Sequence, residues 1–452
     1  MGKVLCFIGT EKSLSNIFKY NFFEKLFNDE IVIATTSKIA EQYKSNIKLI
    51  SYSSNWSPVD IDTFNLHLLF RNFFTRRNKA LNYELRNRVF GPYKIRSLKL
   101  ALYALKYFKI SILRIRWTFL FNNLFKSSHQ ILLGLRMLGK INQGDYSSLH
   151  RILTENKITT AIAITPFRDP KIYDLAQACY DSNTTLHILT ECWDNVSSGY
   201  GLPDHISKLH LWSKQQLQDI SKFYPKYNNK SEIIGSYRRT YSQDFRSSTR
   251  LHKNEFHILY LEGYFYENLN YTINKVLKAV MKSDLVIKNN KINLVVRKYP
   301  LKRQSVNLVE ENNWLGSIKM DKCTIDVSES KLSDLNDEFQ NTDLVVSELT
   351  TAGLEAKFRG IRTYFVGSHA SPRFLDSAAG YNFSFAQPIK ESKNFFNLSI
   401  NKDFNRLVGS LANLSVNDLG GYRTLDYLEN INFYAEPFDF TKWNSLINEL
   451  NE

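Results

Sequence analysis

The sequence predicts an α/β protein of two Rossmann-like, doubly wound domains facing across a cleft, the first carrying a basic helical insertion. Three observations predict it. The chain has 452 residues, more than one ordinary domain holds and a natural length for two. Apolar runs that read as buried strands alternate with helical patterns in two successive series, as a parallel sheet requires. A polar stretch at residues 241–255 separates the two series and reads as a linker. The expected domains are residues 1–245 and 255–430, with residues 431–452 as a C-terminal helix.

The first series opens with KVLCFIG at residues 3–9, a buried strand. A helix follows at 13–26 with Ser13 as its cap, then strands at 30–37 and 47–53. Residues 64–140 interrupt the pattern. It resumes with a helix at 146–156, a strand at 159–165, a helix at 170–181 and strands at 185–191 and 208–212. A helix from Lys214 and a strand at 231–236 complete the series. The second series has a strand at 256–263, a helix at 268–282, a strand at 291–300 ending in a basic turn, and a strand at 323–329. A helix at 332–341, a strand, turn and helix at 342–360 and a closing strand at 361–368 follow.

Hydrophobic residues make up 43% of the chain, enough for two cores, which excludes a disordered or collagen-like protein. The cysteines Cys6, Cys179, Cys192 and Cys323 lie far apart without a CxxC pair and read as reduced thiols, not staples or metal ligands. No uncharged apolar run of about 18 residues suggests a membrane span, and the N-terminus lacks the pattern of a signal peptide. The expected location is the cytoplasm, with peripheral attachment to the inner face of the membrane.

The net charge of +15 is uneven. Residues 64–140 hold sixteen Lys and Arg against one acid, Glu84, with Leu, Phe and Tyr interleaved. Such a segment is either a basic amphipathic surface for an anionic membrane or other phosphate-bearing partner, or a set of packed helices with solvated charges. No zinc, helix-turn-helix or RNP signature accompanies it, so nucleic acid is not an expected partner.

Ligands of doubly wound sheets sit beyond the C-terminal ends of the strands, so the residues that follow each strand are the candidates. The run VVSELTTAGLEAKFRGIRTYFVG reads as a strand ending at Ser347, a turn from Glu348 to Thr351 and a helix from about Ala352. The first amides of a helix lack intrahelical partners and lie at the positive end of its dipole, where a pyrophosphate fits. Ser347, Thr350 and Thr351 add hydroxyls, Gly353 permits close approach, and Glu355 lies one turn on, within reach of a ribose diol. The same residues also suit an ordinary turn in which Ser and Thr cap a helix. Of the preceding strands, one ends at Gly263 and another runs into a basic turn at Arg297 and Lys298, which by itself suits a solvated loop.

These segments resemble GT-B glycosyltransferases of the bacterial surface and capsular polysaccharide type, and are similar to the capsule sugar transferase and CDP-glycerol glycerophosphotransferase families. The resemblance rests on Gly353, Glu355, Ala356 and Gly360, on the basic turn around Tyr299 and Pro300, and on CWDNVSSGYGLPDHISKLHLW. Arg362 stands where proline is common in such families, and no His precedes Pro300. It covers residues 158–368 well and the first 150 weakly.

The resemblance implies a nucleotide-sugar donor in the second domain, with Gly263, Arg297, Lys298, Ser347, Glu348, Thr350, Thr351, Gly353 and Glu355 as donor ligands. A glycan or lipid-linked acceptor would sit in the first domain near Gly9, Thr10 and Asn195. Inverting transfer needs a base for the acceptor hydroxyl. Asp194 is the first choice and Glu191 the second, although Asp194 and Asn195 equally suit a turn. No cofactor and no metal is expected. An inactive GT-B-like scaffold or binding protein at the membrane, or a polyol-phosphate transferase, is the alternative.

Overall fold

The computed structural model describes residues 3–10, 13–14, 16–17, 32–36, 49–61, 63–64, 132, 135–136, 142, 144–164, 169–193, 196, 202–244, 255–263, 269–298, 314–331, 335–367, 389, 392–414 and 435–451. Most of the basic segment 64–140 therefore lies outside the described residues, as do Asp194, Asn195, Tyr299 and Pro300. The chain divides into two compact units: Met1–Tyr237 with Phe433–Glu452, and Arg238–Asn432.

The first unit is built on seven parallel strands: β1 (Lys3–Phe7), β2 (Val32–Thr36), β3 (Leu49–Tyr52), β4 (Ile158–Ala163), β5 (Thr185–Leu189), β6 (Lys208–Leu211) and β7 (Ser231–Ile233). Their spatial order is β3-β2-β1-β4-β5-β6-β7, so the direction of winding reverses between β1 and β4. β1 and β4 are buried along nearly their whole length, as strands covered on both faces must be. The C-terminal segment returns to this unit. Ser236 bridges Pro437, the Glu436 amide donates to the Trp212 carbonyl, and the helix Phe440–Asn451 buries Trp443.

The second unit repeats the scheme with β8 (Glu255–Leu261), β9 (Lys291–Arg297), β10 (Gly316–Lys319), β11 (Thr324–Glu329), β12 (Leu344–Ser347), β13 (Arg362–Gly367) and β14 (Phe395–Asn397). The order is β10-β11-β9-β8-β12-β13-β14, with β10 antiparallel and the reversal between β8 and β12. Side chains alternate across β8. Phe256, Ile258 and Tyr260 pack with Ile273, Val276 and Val280 of the helix Leu269–Lys282 and Leu407 of the helix Asn401–Ala412. Leu259 and Leu261 face the other way, against Phe339 and Ala356. The sheet is thus covered on both faces.

Two expectations are corrected here, and one strand was not foreseen. The closing strand 361–368 is not the edge: β14 pairs with it in parallel beyond. β10 adds an antiparallel edge on the opposite side, which no apolar run announces. The stretch 241–255 begins inside the helix Tyr237–Asp244, and Glu255 already belongs to β8.

Candidate functional site

In the second unit the switch point lies between the ends of β8 and β12, where Gly263 and Glu348 meet. The Glu348 carboxylate is buried and accepts from the Tyr260 hydroxyl at 2.7 Å and from the Gly263 amide at 3.1 Å. A Cβ at position 263 would stand 2.6 Å from Glu348 Oε2 and 2.8 Å from its Cβ, so only glycine admits this approach.

The turn after β12 is fixed by a chain of hydroxyls. Ser347 Oγ donates to the Glu348 carbonyl at 2.6 Å, which leaves it to accept from Thr350 Oγ1 at 3.0 Å. Thr350 Oγ1 in turn accepts from the Gly353 amide at 2.9 Å and caps the helix Thr351–Phe358. Ser347 and Thr350 therefore build the turn, while Thr351 and Ala352, both half-buried, head the helix. What comes close to Gly353 is the protein itself. A Cβ there would stand 2.5 Å from Ser347 Oγ and 2.8 Å from Phe365, so glycine permits tight helix-on-strand packing.

The cations after β9 have acidic neighbours. Lys298 Nζ lies 2.8 Å from Glu329 Oε2 and 6.0 Å from the Trp314 ring centroid. Arg297 Nη1 lies 3.4 Å from Ser330 Oγ and 4.0 Å from Glu338 Oε1. Glu262, also at the end of β8, is buried. Glu355, one turn into the helix, is buried and ion-paired with Arg238. Two residues later, burial lowers the Lys357 ammonium to about 8.

In the first unit, Gly9 and Thr10 follow β1. Thr10 Oγ1 accepts from the Ser13 amide at 3.2 Å, and the Gly9 carbonyl accepts from Lys171 Nζ at 3.2 Å. Lys171 also pairs with Asp169 at 3.0 Å. Glu191, just past β5, is buried and accepts from Asn16 Nδ2 at 3.2 Å. Deeper in, Asp174 gathers Arg136 at 2.5 Å, Trp56 Nε1 at 2.7 Å and the Asp145 amide at 2.7 Å. Burial raises the carboxyls of both Asp174 and Asp145.

Sequence reasoning singled out Gly9, Thr10 and Glu191 but not Lys171, Asp169 or Asn16, and Glu355 but not Arg238. A lysine and an aspartate framing a helix start after β4 were the available signal for the first group. Arg238 had none, because its partner is 117 residues away. Among the described residues no group of three or more His, Cys, Asp or Glu is placed to hold a metal ion, and no helix is long and apolar enough to cross a membrane.

No family model matches this chain, and no curated protein sequence matches it. Solved structures do match. UDP-GlcNAc 2-epimerase from Methanocaldococcus jannaschii matches with a TM-score of 0.51 at 8% identity over 99% of both chains. MurG from Acinetobacter baumannii gives 0.50 at 12% identity, again over 99% of both. A putative UDP-N-acetylglucosamine 2-epimerase from Listeria monocytogenes gives 0.50 at 10% identity, over 100% of this chain and 97% of that one. The likeness spans the chain and shows its fold, the two-domain α/β arrangement called GT-B. Such a fold hosts more than one chemistry, and activity resides in the residues of the site.

Proposed function

We propose that this chain is a glycosyltransferase that takes a nucleotide-sugar donor at the strand ends of its second unit. It passes the sugar to a glycan or lipid-linked acceptor held by the first unit, in surface polysaccharide assembly. One observation carries this reading: a Thr350-capped helix starts at the β8/β12 switch point, where Glu348 accepts from the Gly263 amide. Thr351, Ala352 and the helix dipole suit a diphosphate, and Arg297 or Lys298 adds positive charge to the leaving group.

In this reading transfer is inverting and needs no metal. Asp194, or failing it Glu191, takes the proton of the acceptor hydroxyl. The acceptor oxygen bonds to the anomeric carbon as the bond to the donor phosphate breaks, and the electron pair leaves with the nucleotide. The basic segment 64–140 holds the protein against an anionic inner membrane face.

A second reading, a sugar-nucleotide epimerase on the same fold, draws on the carboxylates Glu262 and Glu348 buried at the same strand ends. It differs in needing no acceptor. An inactive scaffold, or a polyol-phosphate transferase, is separated by ligand choice. The test is thermal unfolding with CMP, CDP, UDP and GDP. A ligand at a hundred times its Kd stabilises by about 2.7 kcal/mol. A shift with one of the four supports donor binding, and no shift with any overturns it. Sugar turnover without acceptor would replace the transferase by the epimerase.

A further inference from the structure

Arg238 opens the second unit, on the helix Tyr237–Asp244. Its Nη1 lies 3.1 Å from Glu355 Oε1, and the two side chains are 4% and 7% exposed. Two ions taken from water to this depth lose most of their hydration, and a well-packed apolar pair often holds a fold as well or better. Stability is therefore a weak reason for this pair.

Position gives a stronger one. Glu355 stands four residues after Thr351, so the two share one stripe of the helix. Thr351 heads that helix and is half-buried, at the end that would receive the donor diphosphate. In the donor reading, a nucleotide whose phosphates meet Thr351 would reach along this stripe with its ribose toward Glu355, one helical turn on. A carboxylate accepts from both hydroxyls of a cis-diol, but only if its plane is held. One guanidinium nitrogen, Nη1, donates to one carboxylate oxygen, Oε1, and so restrains the rotation of the carboxylate.

We infer that Arg238 is a positioning residue, which orients the Glu355 carboxylate toward the ribose diol and so selects ribonucleotides over deoxyribonucleotides. The inference rests on the donor reading. Hydrogen bonds to charged groups make the ribose preference roughly ten- to hundredfold.

The experiment is calorimetry with UDP, 2′-deoxy-UDP and uridine, or the corresponding CDP or GDP series if that base binds. The wild type should prefer the ribo form. Arg238→Met should reduce the preference to about threefold or less, while the advantage of diphosphate over nucleoside remains. Arg238→Lys should keep part of it. Should Arg238→Met fail to fold around an uncompensated Glu355, the double variant Arg238→Met/Glu355→Leu removes both charges and should show the same selective loss. A ribose preference that is absent in the wild type, or that survives in these variants, overturns the inference alone. So does an equal loss of ribo and deoxy binding. No binding of any diphosphate to the wild type overturns the donor reading and this inference with it.

Discussion

Acid should loosen the first unit through two buried histidines. His187 on β5 and His210 on β6 stack with ring centroids 5.3 Å apart and Nδ1 to Nε2 at 3.1 Å. His210 Nδ1 lies 3.0 Å from Glu232 Oε1, which calls for the proton on that nitrogen and leaves Nε2 to accept from His187. Lys442, on the C-terminal helix, lies 3.1 Å from the other Glu232 oxygen, and Trp443 meets the His210 ring edge-on at 5.5 Å. Burial, then the neighbouring His210, lowers His187 to about 3, with Glu232 opposing and Lys208 assisting. Burial lowers His210 as well.

The sign follows from linkage. A folded pKa below the unfolded value near 6.5 means that the unfolded chain binds protons first as pH falls. The stability is complete above about pH 6.5 and is lost progressively below it, at about 1.4 kcal/mol per pH unit for each histidine. At pH 5 His187 alone should cost about 2 kcal/mol. Glu232, lowered from 4.5 to about 2, enters only below that range. The raised carboxyls of Asp145 and Asp174 act in the opposite direction, so the comparison must be with a variant and not with the raw slope.

His187→Asn places an amide donor near the position of Nδ1 without a titrating group. Urea unfolding between pH 7.5 and 5, followed by tryptophan fluorescence from the buried Trp212 and Trp443, should show a flatter pH dependence in this variant. Equal slopes for wild type and His187→Asn would refute the reasoning.

Three further predictions concern the site. Thr350→Ala removes the helix cap and should cost about 1 kcal/mol in urea unfolding of the second unit, with weaker nucleotide binding. Gly353→Ala forces a methyl against Ser347 and Phe365 and should cost about 1–3 kcal/mol by the same assay. Asp194→Asn should abolish sugar transfer while donor affinity by calorimetry stays near the wild-type value, and equal loss of both would make Asp194 structural.

Much of the fold was legible because strands covered on both faces are mostly apolar along their length. KVLCF, ITTAIA and LVVS announce themselves in that way. The edges were not, because an edge strand needs no such run. GSIK of β10 is almost wholly exposed, and β14 is only three residues long. The turn at residues 347–353 was legible from Ser, Thr and Gly clustered at a strand end, but the division of labour within it was not. Composition cannot say that Ser347 and Thr350 satisfy one another or that Phe365, not a ligand, presses on Gly353. Long-range partners such as Arg238 for Glu355 and Tyr260 for Glu348 leave no local trace, since only the folded sheet brings them together.

The central claim is that the helix start at Thr351 receives a diphosphate. Thr351→Asp puts a negative charge there, which suits the helix dipole and should preserve or raise stability while repelling an anionic ligand. Calorimetric titration of wild type and Thr351→Asp with UDP, CDP and GDP should give binding to the wild type by at least one of them and at least tenfold weaker binding to the variant. Undiminished affinity in a folded Thr351→Asp protein would contradict the account.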